Sequence, residues 1–231
     1  MSEPLLLLPG MMCDARLFWP QVAAFSTDKA VHCAPIGGHD TIEALAAEVL
    51  GHAPSRFALL GLSMGGIVAM EVMRQAPERV TRLALLDTNH RAETPERAAA
   101  REPQIETVRA GGLRDVMRDE MKPHYLADGP YRGAILDLCM AMAEALGEDA
   151  FERQSRALQA RPDQTETLRG VEVPTLVLCG REDGLCSVSR HEEMAGLVPG
   201  AALEVIEGAG HLPVLERPEE TNAAIGRWLM A

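Results

Sequence analysis

The sequence predicts an α/β fold with a mostly parallel sheet of about six strands, flanked by helices and carrying an inserted helical lid. Short apolar runs alternate with segments of helical periodicity, and parallel neighbours need crossover connections of this kind. Within residues 57–70 an apolar strand pattern changes to a helical pattern around a single serine. From about residue 88 to residue 170 the alternation stops, and only helical patterns with Pro and Gly breaks remain.

Apolar runs bounded by turn residues are the predicted strands. They lie at residues 5–8, 30–34, 57–62, 82–87, 173–179 and 202–206. The segments between them place apolar residues three or four positions apart, which predicts helices. These helices lie at residues 15–25, 41–50, 64–76, 188–197 and 218–230. Asp40 or Thr41 is expected to cap the second helix, and Pro218 suits the first turn of the last one.

The lid is predicted to contain several helices of its own. They lie at residues 95–110, 113–121, 131–146 and 149–160, and Gly111 is among the residues that break the pattern. Because the strand pattern resumes after the lid, we expect a single domain over residues 1–231. Its core is predicted at residues 1–87 and 171–231, and the lid at about residues 88–170.

Composition and charge restrict the class of protein. Of the 231 residues, 47% are hydrophobic and 24% are charged, which fits an ordinary globular chain. The net charge of −12 and the lack of a basic cluster disfavour binding to nucleic acid or to an anionic membrane. Five cysteines without a CxxC pair favour reduced thiols over a zinc site or a disulfide framework. Without a signal peptide or a run long enough to span a bilayer, a cytoplasmic protein is expected.

The serine at the change of pattern is the first candidate for chemistry. Gly61-Leu62-Ser63-Met64-Gly65 has the Gly-x-Ser-x-Gly form of a nucleophile elbow. A turn that passes from strand to helix so abruptly holds its serine in a strained backbone conformation. Glycines two residues before and after the serine remove the β-carbons that would collide in such a turn.

A serine hydroxyl needs a base to take its proton, and the base needs a group to orient it. His211 lies in a glycine-rich turn after the last predicted strand, and Asp183 follows the strand before it. Sites in parallel sheets gather at the carboxyl ends of the strands, so both side chains are expected near Ser63. Asp87, at the end of another strand, is the alternative acid, although we interpret it as a structural carboxylate.

Three further histidines are expected to be surface or lid residues, and three arginines of the lid are expected to lie on a solvated helix face. For the arginines, binding of a substrate carboxylate is the alternative, but a solvated helix face is favoured. This expectation covers His90, His124, His191, Arg91, Arg101 and Arg132.

Taken together, these motifs resemble those of the α/β-hydrolase family, and the resemblance covers nearly the whole chain. Residues 61–65 look like the family's elbow, residues 180–183 like its acid loop, and residues 210–218 like its histidine segment. Residues 8–11 look like its oxyanion loop, with Pro9 where the family usually has a histidine. The family's usual first two strands are absent from the predicted sheet.

The resemblance implies a serine hydrolase that cleaves a small carboxylic ester or thioester through an acyl-enzyme on Ser63, with His211 as the base and Asp183 as the acid. It also implies that the backbone N–H groups of Met11 and Met64 form the oxyanion hole. This chemistry requires no metal and no organic cofactor, and the expected partner is the small-molecule substrate alone.

Two alternatives stay open at this point. The same residues serve C–C hydrolases or lyases of similar fold, and the fold can also host a non-catalytic small-molecule receptor. The sequence indicates neither the natural substrate nor the oligomeric state.

Overall fold

The sheet of the protein has six strands, all parallel, in the order β2-β1-β3-β4-β5-β6. The computed structural model describes residues 3–231. The strands are β1 (Leu5–Leu8), β2 (Val31–Cys33), β3 (Phe57–Leu62), β4 (Val80–Leu86), β5 (Thr175–Gly180) and β6 (Ala202–Ile206). The predicted fold class is confirmed, and each predicted strand lies within two residues of an observed one at both ends.

Helices connect the strands and cover both faces of the sheet. Outside the segment between β4 and β5 they are α1 (Trp19–Phe25), α2 (Ile42–His52), α3 (Met64–Gln75), α9 (Val188–Leu197), α10 (Pro213–Glu216) and α11 (Pro218–Met230). A 3₁₀ turn at Ala15–Phe18 precedes α1. Thr41 caps α2, because its hydroxyl accepts a hydrogen bond from the N–H of Ala44 at 3.2 Å.

In the described part of the chain, the segment between β4 and β5 contains helices joined by loops and no strand, as the sequence predicts. It contains α4 (Pro95–Thr107), α5 (Leu113–Val116), α6 (Arg132–Leu146), α7 (Glu148–Gln159) and α8 (Thr165–Arg169). The break between α4 and α5 falls at Gly111, whose φ of +90° suits glycine. The short α8 was not predicted from the sequence. No helix within residues 3–231 has the length and apolarity needed to cross a bilayer.

Two apolar layers cover the two faces of the sheet. Successive side chains of a strand point to opposite faces, so Leu59 belongs to one layer and Leu60 to the other. Residues of α2, α3 and α9 complete the first layer, and residues of α11 contribute to the second. All residues of β1 and β3 are buried, as expected for central strands of a parallel sheet.

The passage from β3 to α3 brings backbone atoms unusually close together. A β-carbon added at Gly61 would lie 2.2 Å from the carbonyl oxygen of Gly65. A β-carbon added at Gly65 would lie 2.1 Å from the carbonyl oxygen of Leu8 on the neighbouring β1. Close packing of backbone against backbone therefore favours glycine at both positions, and any side chain there would force backbone atoms to move.

Two glycine substitutions should change stability in opposite directions. Gly61→Ala should lower the free energy of unfolding by about 1–3 kcal/mol, because backbone atoms must move to admit the methyl group. Gly51→Ala, in α2 with no atom within 4 Å of the added β-carbon, should raise it by about 0.5–1 kcal/mol. Urea denaturation of both variants checks this. Equal stability of Gly61→Ala and the native protein would contradict the close approach at the elbow.

Candidate active site

Ser63 occupies the strained turn between β3 and α3. Its φ of 55° and ψ of −117° lie outside the regions that residues with side chains normally adopt. The N–H of Ser63 donates to the carbonyl of Leu86 at 2.9 Å, and the hydroxyl of Thr88 donates to the carbonyl of Ser63 at 2.7 Å. Hydrogen bonds from the end of β4 therefore hold both polar groups of the serine backbone.

The structure brings Ser63, His211 and Asp183 into one line of hydrogen bonds. The Oγ of Ser63 lies 2.9 Å from Nε2 of His211, and Nδ1 of His211 lies 2.8 Å from Oδ2 of Asp183. Because a carboxylate can only accept, Nδ1 carries the ring proton of a neutral His211. Nε2 is then free to accept from the serine hydroxyl. Each residue lies just beyond the carboxyl end of a strand, as predicted for this edge of the sheet.

Asp183 is held in its ionised form. Burial by itself raises the pKa of this carboxyl, but the hydrogen bond and charge of His211 act in the opposite direction. The backbone N–H groups of Leu185 and Cys186 also donate to Oδ1 of Asp183, at 2.7 and 3.0 Å. Together these contacts outweigh burial and leave the pKa of Asp183 below its ordinary value.

Asp87, the alternative acid, differs from Asp183 in its hydrogen bonds and in the direction of its pKa shift. It is fully buried at the end of β4, with a φ of 44°, and its Oδ1 accepts from the N–H of Gly180 at 2.9 Å. Its Oδ2 has no hydrogen-bond partner among the described residues. Burial, and then the charge of Asp183, raise the pKa of Asp87 well above its ordinary value. Its surroundings therefore favour the protonated, uncharged form of Asp87, and it does not bond to His211.

The histidine loop is tied to the helical segment between β4 and β5. The N–H of His211 donates to the carbonyl of Tyr125 at 2.6 Å. The partly buried carboxylate of Glu216 accepts from Gly210 at 3.0 Å and from Ala127 at 2.8 Å, so one side chain joins the two loops. The sequence motif singled out Glu216 but offered no indication of Tyr125 or Ala127.

The oxyanion loop approaches Ser63 from the end of β1. A β-carbon added at Gly10 would lie 3.5 Å from Cβ of Ser63, so the two backbones are in contact. Met11 and Met64 both line the cavity that contains Ser63. As the first residue of α3, Met64 has an N–H without an intrahelical acceptor, at the positive end of the helix dipole. The positions of both residues are compatible with the predicted oxyanion hole.

Gln154 of α7 supports the oxyanion loop and was not found from the sequence. Its Oε1 accepts from the N–H of Met12 at 2.9 Å, and its Nε2 donates to the carbonyl of Ile36 at 3.0 Å. Gln154 is 1% exposed, so both hydrogen bonds are shielded from water. An amide two turns into a helix gives no sequence signal for such a role.

The expected surface or lid position is wrong for His191, which is buried on α9, whereas His90 lies within residues 88–170 and is buried there. Nε2 of His191 accepts from the N–H of Thr88 at 3.0 Å, and its Nδ1 donates to the carbonyl of Ser187 at 2.9 Å. Burial lowers the pKa of His191, which favours this neutral tautomer. Because Thr88 in turn holds Ser63, His191 supports the elbow from behind. His191 lies three residues before Met194 on α9, and this helical spacing was the sequence pattern that could have predicted its burial.

The cavity in front of Ser63 has a volume of about 260 Å³. Met11, Ile67 and Leu158 form part of its apolar wall. The expected surface position is also wrong for Arg101, whose side chain lines this cavity and is 20% exposed. Arg91 lies at the surface, as expected, in an ion pair with Glu193.

Asp183, Cys186 and His211 form a group of potential metal ligands within 4.8 Å of one another. Their contacts serve hydrogen bonding instead. Both oxygens of Asp183 already accept hydrogen bonds, and burial raises the pKa of the Cys186 thiol, which disfavours the thiolate that metals bind. A metal here would have to displace the hydrogen bond between Asp183 and His211.

A parallel α/β sheet with a serine, a histidine and a carboxylate at its strand ends is the architecture of a hydrolase. Residues 5–224 match the model of the alpha/beta hydrolase family, and the chain belongs to that family. The resemblance found from the sequence motifs is thereby confirmed.

Relatives of known activity include several ester hydrolases. The chain is 23% identical to the pimeloyl-[acyl-carrier protein] methyl ester esterase of Aliivibrio salmonicida, covering 99% of this chain and 92% of that protein. It is 26% identical to the (E)-2-((N-methylformamido)methylene)succinate hydrolase of Acinetobacter baylyi, covering 99% and 90%.

Among solved structures, a thermophilic esterase from Thermogutta terrifontis, described with malate bound, superposes with a TM-score of 0.90. It is 30% identical and the match covers 100% of this chain and 90% of that one. These relatives support an ester hydrolase.

The two neighbouring aspartates should respond differently to the same substitution. Asp183→Asn removes the charge that orients His211 and should lower kcat by about 10⁴-fold, as loss of the triad acid does elsewhere. Asp87→Asn replaces a neutral acid with a neutral amide that also tolerates positive φ, so most activity should remain. Steady-state kinetics with one ester substrate checks both. An inactive Asp87→Asn beside an active Asp183→Asn would transfer the acid role to Asp87.

Asp87→Asn should also change the dependence of stability on pH. The folded state holds the Asp87 proton more tightly than the unfolded chain does, so stability falls as pH rises above the ordinary pKa of 3.8 towards the raised folded value. Because asparagine cannot ionise, the variant should not show this fall in stability as pH rises. Thermal unfolding at pH 5 to 8 should therefore show a higher midpoint for Asp87→Asn than for the native protein, and a lower midpoint would contradict the raised pKa.

Proposed function

We propose that the protein is a serine hydrolase that cleaves a small carboxylic ester or thioester through an acyl-enzyme on Ser63. The observation that carries this proposal is the line of hydrogen bonds from Asp183 through His211 to Ser63. Esterase relatives that cover the whole chain support ester cleavage. The cavity of about 260 Å³ favours a small substrate, because ligand sites commonly have about 300–1,000 Å³.

In the first half of the proposed reaction, Nε2 of His211 takes the hydroxyl proton while Oγ of Ser63 attacks the substrate carbonyl. The carbonyl oxygen becomes an oxyanion and accepts hydrogen bonds from the N–H groups of Met11 and Met64. Asp183 stabilises the charged imidazolium and keeps its orientation. When the tetrahedral intermediate collapses, His211 returns its proton to the departing alcohol or thiol, and the acyl group stays on Ser63.

In the second half, His211 takes a proton from water, and the resulting hydroxide attacks the acyl-enzyme carbonyl. The same two N–H groups hold the second oxyanion. Collapse breaks the bond to Oγ, His211 returns the proton to Ser63, and the carboxylic acid leaves. Every proton in this cycle moves through Nε2 of His211, so the chain's own residues supply the required groups.

The two alternatives that the sequence leaves open receive less support. A receptor needs the cavity but has no use for a serine hydroxyl aligned at 2.9 Å with an imidazole. C–C cleavage and lyase steps use the same residues, but the esterases among the relatives favour ester hydrolysis.

Turnover of p-nitrophenyl esters of graded acyl length tests the proposal. The native protein should hydrolyse short acyl chains, whereas Ser63→Ala should lose at least about 10⁴-fold in kcat, because the nucleophile is gone. A serine-directed phosphonate should add its mass to the native protein only.

Ser55→Ala is the matched control, because Ser55 is exposed and precedes the opposite, amino end of β3. It should keep full activity and full labelling. If the native protein neither hydrolyses any of the esters nor reacts with the phosphonate, the proposed function is wrong.

A further inference from the structure

A buried cluster of charges lines the cavity beyond Ser63. Arg101 of α4 and Arg161, just after α7, both bind the carboxylate of Glu93, at 3.3 and 3.1 Å. Glu93 is 2% exposed and Arg161 is 7% exposed on their side chains, so these charges have little access to water. All three side chains line the same cavity as Ser63.

The cluster contains more positive charge than its own carboxylate neutralises. Two guanidinium groups share the single charge of Glu93. Among the described residues, Nε of Arg101 and Nε of Arg161 are buried without a hydrogen-bond partner. Arg97 also lines the cavity, and burial, followed by the charges of neighbouring arginines such as Arg97, lowers the pKa of both buried arginines. Buried donors and charge of this kind are costly unless an acceptor binds them.

The other carboxylate on the cavity wall, that of Glu120, does not neutralise the remaining positive charge of the cluster. Glu120 is exposed and accepts a hydrogen bond from Gln104 at 2.9 Å. No ion pair joins Glu120 to Arg97, Arg101 or Arg161 within the described part of the chain. The cavity therefore offers an anion an uncompensated pair of planar donor groups.

The cluster lies next to the groups that would bind the reacting carbonyl. Nη1 of Arg101 is 3.9 Å from Sδ of Met11, and the backbone N–H of Met11 is a proposed oxyanion donor. A ligand that reaches both Ser63 and Arg101 therefore needs only a short spacer within a cavity of about 260 Å³.

We propose that the substrate carries a carboxylate a few carbon atoms from the ester or thioester group, and that Arg101 and Arg161 bind this carboxylate. The inference rests on the proposed function, which supplies the reacting carbonyl at Ser63. A carboxylate matches the two planar guanidinium groups, because their N–H donors can pair with its two oxygens. Glu93 holds the two guanidinium groups side by side and limits the net charge of the empty site.

Matched pairs of esters test the proposal. Monoethyl glutarate and ethyl pentanoate differ only in a terminal carboxylate on the acyl side, and 3-acetoxypropanoate and propyl acetate differ in the same way on the alcohol side. We expect kcat/KM about 10- to 100-fold higher for the anionic member of at least one pair, because hydrogen bonds to charged groups discriminate at that level. The pair that shows the preference identifies which half of the substrate carries the carboxylate.

Substitutions assign the preference to the cluster. Arg161→Gln should lower kcat/KM for the anionic ester far more than for the neutral ester, and so remove most of the preference, because the neutral ester makes no charged contact. Arg161→Lys should keep part of the preference, since it retains the charge but loses the planar fork. Glu93→Gln should increase the preference, because it removes the competing carboxylate. This last effect has the opposite sign and cannot arise from general damage to the fold.

Arg109→Gln is the matched control, because Arg109 is an exposed arginine of the same helical segment that pairs with Glu152 outside the cavity. It should behave like the native protein with all four esters. Thermal unfolding of every variant shows whether the protein is folded. If Arg161→Gln is unfolded, Arg161→Lys and Glu93→Gln still test the assignment.

Binding measured without turnover separates this proposal from the proposed function. Calorimetric titration of Ser63→Ala with monoethyl glutarate should show binding that Arg161→Gln in the same background weakens by about 10-fold or more. Binding without any turnover by the native protein would overturn the hydrolase and keep the anion site. Turnover without a preference for the anionic ester in either pair would overturn the anion site and keep the hydrolase. An affinity for monoethyl glutarate that Arg161→Gln leaves unchanged would do the same.

Discussion

The close approach of three backbone segments at Ser63 is the constraint on which the rest of the site depends. The oxygen of Leu8 and the oxygen of Gly65 each lie where an ordinary side chain would begin. This packing holds the end of β1, the end of β3 and the start of α3 within contact distance. It places a strained serine, the first turn of a helix and the oxyanion loop around one point. Strain of this kind persists only where surrounding contacts determine it, and Leu86 and Thr88 supply them.

The helical segment between β4 and β5 helps to build the site as well as covering it. Tyr125 and Ala127 bind the histidine loop, and Gln154 binds the oxyanion loop. These contacts are made through backbone N–H and carbonyl groups, which need partners when they are buried. The segment therefore determines the positions of the groups on the sheet, while its charged side chains determine the chemistry of the cavity wall.

Side chains of the same type differ in pKa and in burial because their surroundings differ. Asp183 and Asp87 follow neighbouring strands, yet the pKa of Asp183 is lowered and that of Asp87 is raised, because one bonds to an imidazole and the other is buried beside a negative charge. A similar contrast separates the arginines. Arg91 pairs with a partly exposed glutamate at the surface, whereas Arg161 shares a buried one inside the cavity.

The sequence by itself determined the parallel sheet, the elbow and the order of Ser63, Asp183 and His211, because local patterns encode them. Apolar periodicity specifies strands and helices, and the glycines around Ser63 mark a turn that few other residues allow. Only the tertiary structure decided that Asp183 and not Asp87 bonds to His211, that His191 lies behind the elbow, and that Arg101 and Arg161 face the cavity. Those outcomes depend on contacts between residues far apart in the chain, and neither burial nor a charge partner can be read from neighbours in sequence.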